Sequence, residues 1–204
     1  MTSNLTEIFS KSYLKEYISR NKSFILIAFF ILFVSAVLGV IFSDIIKEFV
    51  TEIFKNMLSG LPENPTVYDE AKFLFQNNIR ANIIIMLGGL FFSIFSILAI
   101  IMNGLIIGFT YTLVTPIQFI VGIVPHGIFE LPATALSLVG AFLITKLEIN
   151  LLDALFKRRL KEEIGKSNEI IKDIILTFLI ILILLIFAAI IEAGVTPVLL
   201  SMVS

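Results

Sequence analysis

Apolar positions in this chain come in long unbroken blocks. They do not alternate as in half-buried strands, and most do not form the stripe of a soluble amphipathic helix. Phe24–Ser43, Ala81–Phe129, Leu131–Thr145 and Ile174–Ile191 contain no Lys, Arg, Asp or Glu. A helix needs about 20 apolar residues to cross roughly 30 Å of hydrocarbon. The first block is one such crossing. The second, as a single helix, would be about 73 Å long at about 1.5 Å per residue, so it reads as two crossings and a turn. Asn103-Gly104 is the turn signal inside it. The pattern predicts five spans, over 24–43, 79–101, 104–124, 127–145 and 174–191, in a single transmembrane domain covering 1–204. The class is all-α, a polytopic helical membrane bundle. Continuous runs disfavour a barrel.

The segments between spans have their own periodicity. Asp44–Leu58 places Ile45, Ile46, Phe49, Val50, Ile53 and Phe54 between Lys47, Glu48, Thr51, Glu52 and Lys55. That is an amphipathic helix, within an outer segment 44–78 interrupted at Gly60-Leu61-Pro62. Segment 146–173 carries Leu151, Leu152, Leu155 and Phe156 beside Lys157-Arg158-Arg159, a basic amphipathic loop suited to an anionic inner leaflet. Thr115-Pro116 and Pro125 predict broken helices. Beyond Glu192, a short apolar tail turned at Thr196-Pro197 predicts a C-terminal re-entrant or interfacial segment.

Composition narrows the class. The chain is 58% hydrophobic and 15% charged, with a mean hydropathy of +1.03. Soluble domains carry about 25% charged residues. The absence of Cys excludes a disulfide scaffold, and a net charge of −1 argues against nucleic acid as a partner. Basic residues also orient the bundle. The N-tail (Lys11, Lys15, Arg20, Lys22) and the 146–173 loop hold most of them, while the segment after span one holds only Lys47, Lys55 and Lys72. By the positive-inside bias the N-terminus is cytoplasmic. Five spans then put the C-terminus outside the cell membrane. Span one reads as a retained anchor, too long for a cleaved signal.

Ionisable groups inside the spans cost about 2.5–3.5 kcal/mol on insertion scales, so each is a site candidate. They are Arg80, His126, Glu130 and Glu192. The orientation places all four near the outer face. His126 and Glu130, four residues apart, share a helix face. One reading is an internal salt bridge, with Arg80 paired to Glu130 or Glu192 and His126 donating to a carbonyl. A second is a solute pathway, and a third is a metal held by His126, Glu130 and Glu192. A single His and no Cys is thin support for a metal centre, so neither metal nor cofactor is expected. No HExxH or GxSxG element is present, so no catalytic residue is expected either. Asn103 reads as a cap at the inner turn. Gly104-x-x-x-Gly108 and the Ala133/Ser137/Ala141 stripe read as packing positions within the chain, or as a homodimer seam. Pro125 suits a helix start, and Gly127 permits close packing or a bend.

Several of these residues fall into one recognisable constellation. It comprises Phe75-x-x-Asn78, Asn103-Gly104-x-x-x-Gly108, Pro125-His126-Gly127-x-Phe129-Glu130, and Ile191-Glu192-Ala193 before Thr196-Pro197. It resembles the stage II sporulation protein M family over roughly residues 20–200. In spore formers the family member belongs to a membrane-bound engulfment machine containing peptidoglycan-degrading partners. The resemblance implies an integral membrane scaffold in contact with the lipid bilayer and with protein partners. It does not imply that the host sporulates. The family's hallmark polar residues fall on Asn103, His126, Glu130 and Glu192. The expected function is a non-enzymatic component of a membrane complex. The rival reading is a small transporter or channel that uses the His/Glu cluster.

Overall fold

A computed structural model of the chain describes residues 5–58, 60 and 65–203. It is 92% helix, and the described residues form no strand. The described residues form eight α-helices, in order α1 (Lys11–Ile41), α2 (Ser43–Leu58), α3 (Val67–Leu87), α4 (Ile94–Leu113), α5 (Pro116–Phe156), α6 (Leu160–Lys166), α7 (Asn168–Gly194) and α8 (Thr196–Ser201). Four segments are long and apolar enough to cross a membrane: α1, α4, α5, and the stretch Asn168–Ser201 that contains α7 and α8. The expectation of five spans is therefore met for four. The remaining helix, α3, is more polar, but it packs along α7 from end to end. Val67 reaches Gly194 at one end, and Phe75 and Ile79 meet the cluster holding Ile181 and Leu185 further along.

Two expected boundaries are corrected. No helix covers 79–101. The chain reverses at 88–93, where the 3-10 turn Gly88–Phe91 leads into Phe92 (φ 52°) and Ser93 (φ 59°), both left-handed. Hydrogen bonds hold this reversal. Ser96 Oγ donates to Ile85 O (2.6 Å), and Thr145 Oγ1 donates to Gly89 O (2.7 Å). A Cβ on Gly89 would collide with the Ala141 backbone, so the turn sits directly on α5. Asn103-Gly104, the expected turn, lies in the middle of α4 instead. The Asn103 amide donates to Ala99 O one helical turn back (2.9 Å).

The second correction concerns prolines. The break at Thr115-Pro116 is present: Thr115 caps α5 in a reciprocal box with Gln118, and Pro116 takes the first turn. No break occurs at Pro125. Helix α5 runs unbroken through Pro125 and Pro132 for 41 residues. A full break would strip several backbone groups of partners in an apolar setting, whereas a proline removes one donor. The 146–173 region is mostly helical. Helix α5 carries on to Phe156, and the short α6 leads into α7. On α6, Lys166 Nζ donates to Glu162 Oε1 (2.6 Å), which holds that carboxyl below and that amine above their ordinary values.

Glycines set the tightest seam. Helices α1 and α4 run parallel, with Gly104 against Leu32 and Ser35, Gly108 against Ala36 and Val40, and Gly39 against Leu105. A Cβ on any of these glycines would overlap backbone of the facing helix. The Gly104-x-x-x-Gly108 pair thus joins helices within the chain, by the close approach that small residues permit. Ala133, Ser137 and Ala141 are fully buried in α5, the central helix.

Candidate functional site

The bundle has two ionisable clusters, one at each end. At the end where α5 begins and α7 finishes, His126, Glu130 and Glu192 converge. One ligand atom from each lies within 4.8 Å of the others. Helix α5 supplies His126 and Glu130 one turn apart, with His126 Nε2 at 4.0 Å from Glu130 Oε2. Helix α7 brings Glu192 across to them. The His126 side chain is 9% exposed and that of Glu130 is 29%.

The start of α8 completes the setting. Thr196 Oγ1 lies 3.3 Å from Ile191 O, to which it donates, and 3.5 Å from His126 Nδ1. With its proton committed to the carbonyl, the Thr196 oxygen accepts from Nδ1–H. In that tautomer Nε2 carries the lone pair, 4.0 Å from Glu130 Oε2. Gly127 is buried beside His126, and Gly122, one turn before it, receives the Leu200 side chain from α8. Pro125 lies within the same helical turn and does not interrupt it.

Arg80 does not join this cluster. It is exposed on α3, and among the described residues it forms no ion pair. The cause is the misplaced turn. Helix α3 starts at Val67, capped by Thr66 and Asp69, and not near Ile79. Arg80 therefore sits about 15 Å further along the axis than Glu70 at about 1.5 Å per residue. Glu70 occupies the level expected for Arg80, and its charge repels that of Glu192, as does Glu130. Glu70 lies eleven residues ahead of the charge-free block that starts at Ala81, whereas Arg80 adjoins it. Among the described residues no Lys or Arg pairs with Glu130 or Glu192, and Lys72, two residues from Glu70, is exposed on α3.

The opposite end holds a network that the sequence reading passed over. Asp173, in the second turn of α7, has a side chain only 4% exposed. Its carboxylate accepts from Arg20 Nη2 (2.8 Å) and Nε (3.2 Å), from Tyr13 Oη (2.9 Å) and from Asn21 Nδ2 (2.9 Å). Tyr17 Oη lies 2.7 Å from Thr177 Oγ1, and Arg20 also meets Glu169 at 3.1 Å. The signal was present: Tyr13, Tyr17, Arg20 and Asn21 share one face of α1, and Asp173 immediately precedes the apolar block of α7.

No solved structure matches this chain. An uncharacterized protein of Methanocaldococcus jannaschii is 30% identical over 139 residues, covering 65% of this chain and 74% of the relative. The family model described as stage II sporulation protein M matches residues 23–197, which include every member of the acidic-end cluster and both helices of the glycine seam. The chain belongs to the stage II sporulation protein M family.

Proposed function

We propose that this protein is a non-enzymatic integral membrane component that holds partner proteins in a complex. The exposed face of α3 carries the reading. Lys72, Gln76, Asn77 and Arg80 are all exposed along one side of a helix whose other side packs on the apolar α7. A polar stripe facing hydrocarbon is costly, by about 2.5–3.5 kcal/mol for an Arg at mid-membrane. A protein partner, or a second copy of the chain, removes that cost by offering acceptors. In this reading α3 is a fifth crossing, α8 rests in the interface, the N-terminus is cytoplasmic and the C-terminus lies outside the cell membrane. Helix α2 lies along the outer surface as an amphipathic arm, with Val50 buried and Ile45 and Phe49 exposed.

The absence of cysteine makes the test direct. Cysteine placed at Gln76 or Asn77, treated with a short bifunctional maleimide in native membranes, is expected to capture a protein in defined stoichiometry. The same probe at Phe30, on the exposed side of α1, is expected to capture none. Equal labelling at both positions, with only lipid around α3, would refute the scaffold reading. A small transporter is the second reading, favoured by ionisable clusters at both ends of one bundle. It requires solute or proton flux in reconstituted vesicles that Glu130→Gln abolishes while the fold survives.

A further inference from the structure

The acidic-end cluster is electrostatically incomplete. Glu130 and Glu192 face each other across less than 5 Å. The hydrogen bond through Thr196 leaves the lone pair on His126 Nε2. Nε2 has no hydrogen-bond partner among the described residues, since its nearest carboxylate oxygen is 4.0 Å away. Three acceptors therefore converge on one spot, from a histidine whose side chain is nine-tenths buried and from two carboxylates on different helices. Arg80, the basic residue expected to neutralise them, is exposed and outside the cluster.

We infer that His126 Nε2, Glu130 and Glu192 bind a divalent transition-metal ion that ties α5 to α7 at this end of the bundle. The donor set defines the class of ion. One imidazole and two carboxylates suit Zn²⁺, Mn²⁺ or Fe²⁺, and an imidazole ligand disfavours Mg²⁺ and Ca²⁺. Ligands about 2.1 Å from a tetrahedral ion stand about 3.4 Å apart. The present separations, up to 4.8 Å, close to that by side-chain rotations of roughly an ångström. Thr196 then acts as the outer partner that fixes a ligating histidine through its other ring nitrogen. This site is independent of the scaffold reading, since the ion is needed whether α3 docks a partner or faces lipid.

The test uses the full chain purified in mild detergent, stripped with a chelator and titrated with Zn²⁺ alone and with Co²⁺ as a visible-absorption probe. One ion per chain is expected, with micromolar or tighter affinity. Affinity falls at least tenfold in Glu192→Gln and in His126→Ala, while Arg80→Gln leaves it unchanged. X-ray absorption of the wild-type zinc form decides the matter should a variant fail to fold: one imidazole nitrogen among oxygen ligands is expected. Absence of stoichiometric binding, a coordination shell without imidazole, or full affinity retained in folded Glu192→Gln would overturn the assignment. In any of those cases the cluster is held by protons alone.

Discussion

The two ends of the bundle solve the same problem in opposite ways. Each sets a carboxylate of α7 against a long neighbouring helix, Asp173 buried and Glu192 half-buried. At the Asp173 end the carboxylate receives two bonds from Arg20 and one each from Tyr13 and Asn21. Charge is balanced within the chain, and the lone pairs have partners. At the Glu192 end the neighbours are Glu130, Glu70 and an imidazole lone pair, so acceptor meets acceptor. Buried polar groups in folded proteins are paired almost without exception. A paired cluster explains itself as architecture. An unpaired one points to something supplied from outside the chain.

Removing one carboxylate charge at each end should therefore have opposite signs. Asp173→Asn leaves Arg20 without its principal partner and breaks a largely buried pair, at a cost of about 3–5 kcal/mol. A sharply lower unfolding temperature in detergent is expected, and an unchanged one would remove the distinction between the ends. Glu192→Gln, in chelator-treated protein at pH 8, relieves repulsion from Glu130 and Glu70. Stability should rise by about 1–2 kcal/mol, allowing for partial solvent screening. A loss of similar size to that of Asp173→Asn would show that the two clusters play the same part. The smallest effect sharpens the paired end. Tyr17→Phe removes one buried hydrogen bond to Thr177 and should cost about 0.5–1.5 kcal/mol, with no effect on metal binding.

What the sequence made legible follows from range. The helix break at Thr115-Pro116 and the shared face of His126 and Glu130 are local signals, and the structure contains both. The hairpin at 88–93 was not legible because its left-handed residues are Phe92 and Ser93, neither of which advertises that conformation. Its determinants are distant: Thr145 and Ala141 of α5. An Asn-Gly pair fifteen residues later gave the stronger local signal and the wrong answer. That single displacement carried Arg80 out of the cluster and hid Glu70. The Asp173 network was missed for a related reason. Its partners lie about 150 positions apart along the chain, joined by a tyrosine stripe that resembles ordinary interfacial packing.

Helix α5 is longer than its task requires. Its 41 residues extend to about 61 Å, against about 40–45 Å for a bilayer with its headgroups. His126 lies ten residues into the rod, which ends at Phe156, 85% exposed. Some 45 Å of helix separate the two at about 1.5 Å per residue. A tilt of about 5° pivoting at His126 would swing that far tip by roughly 4 Å, so a small rearrangement of side chains on one surface becomes a displacement that another molecule can feel on the other.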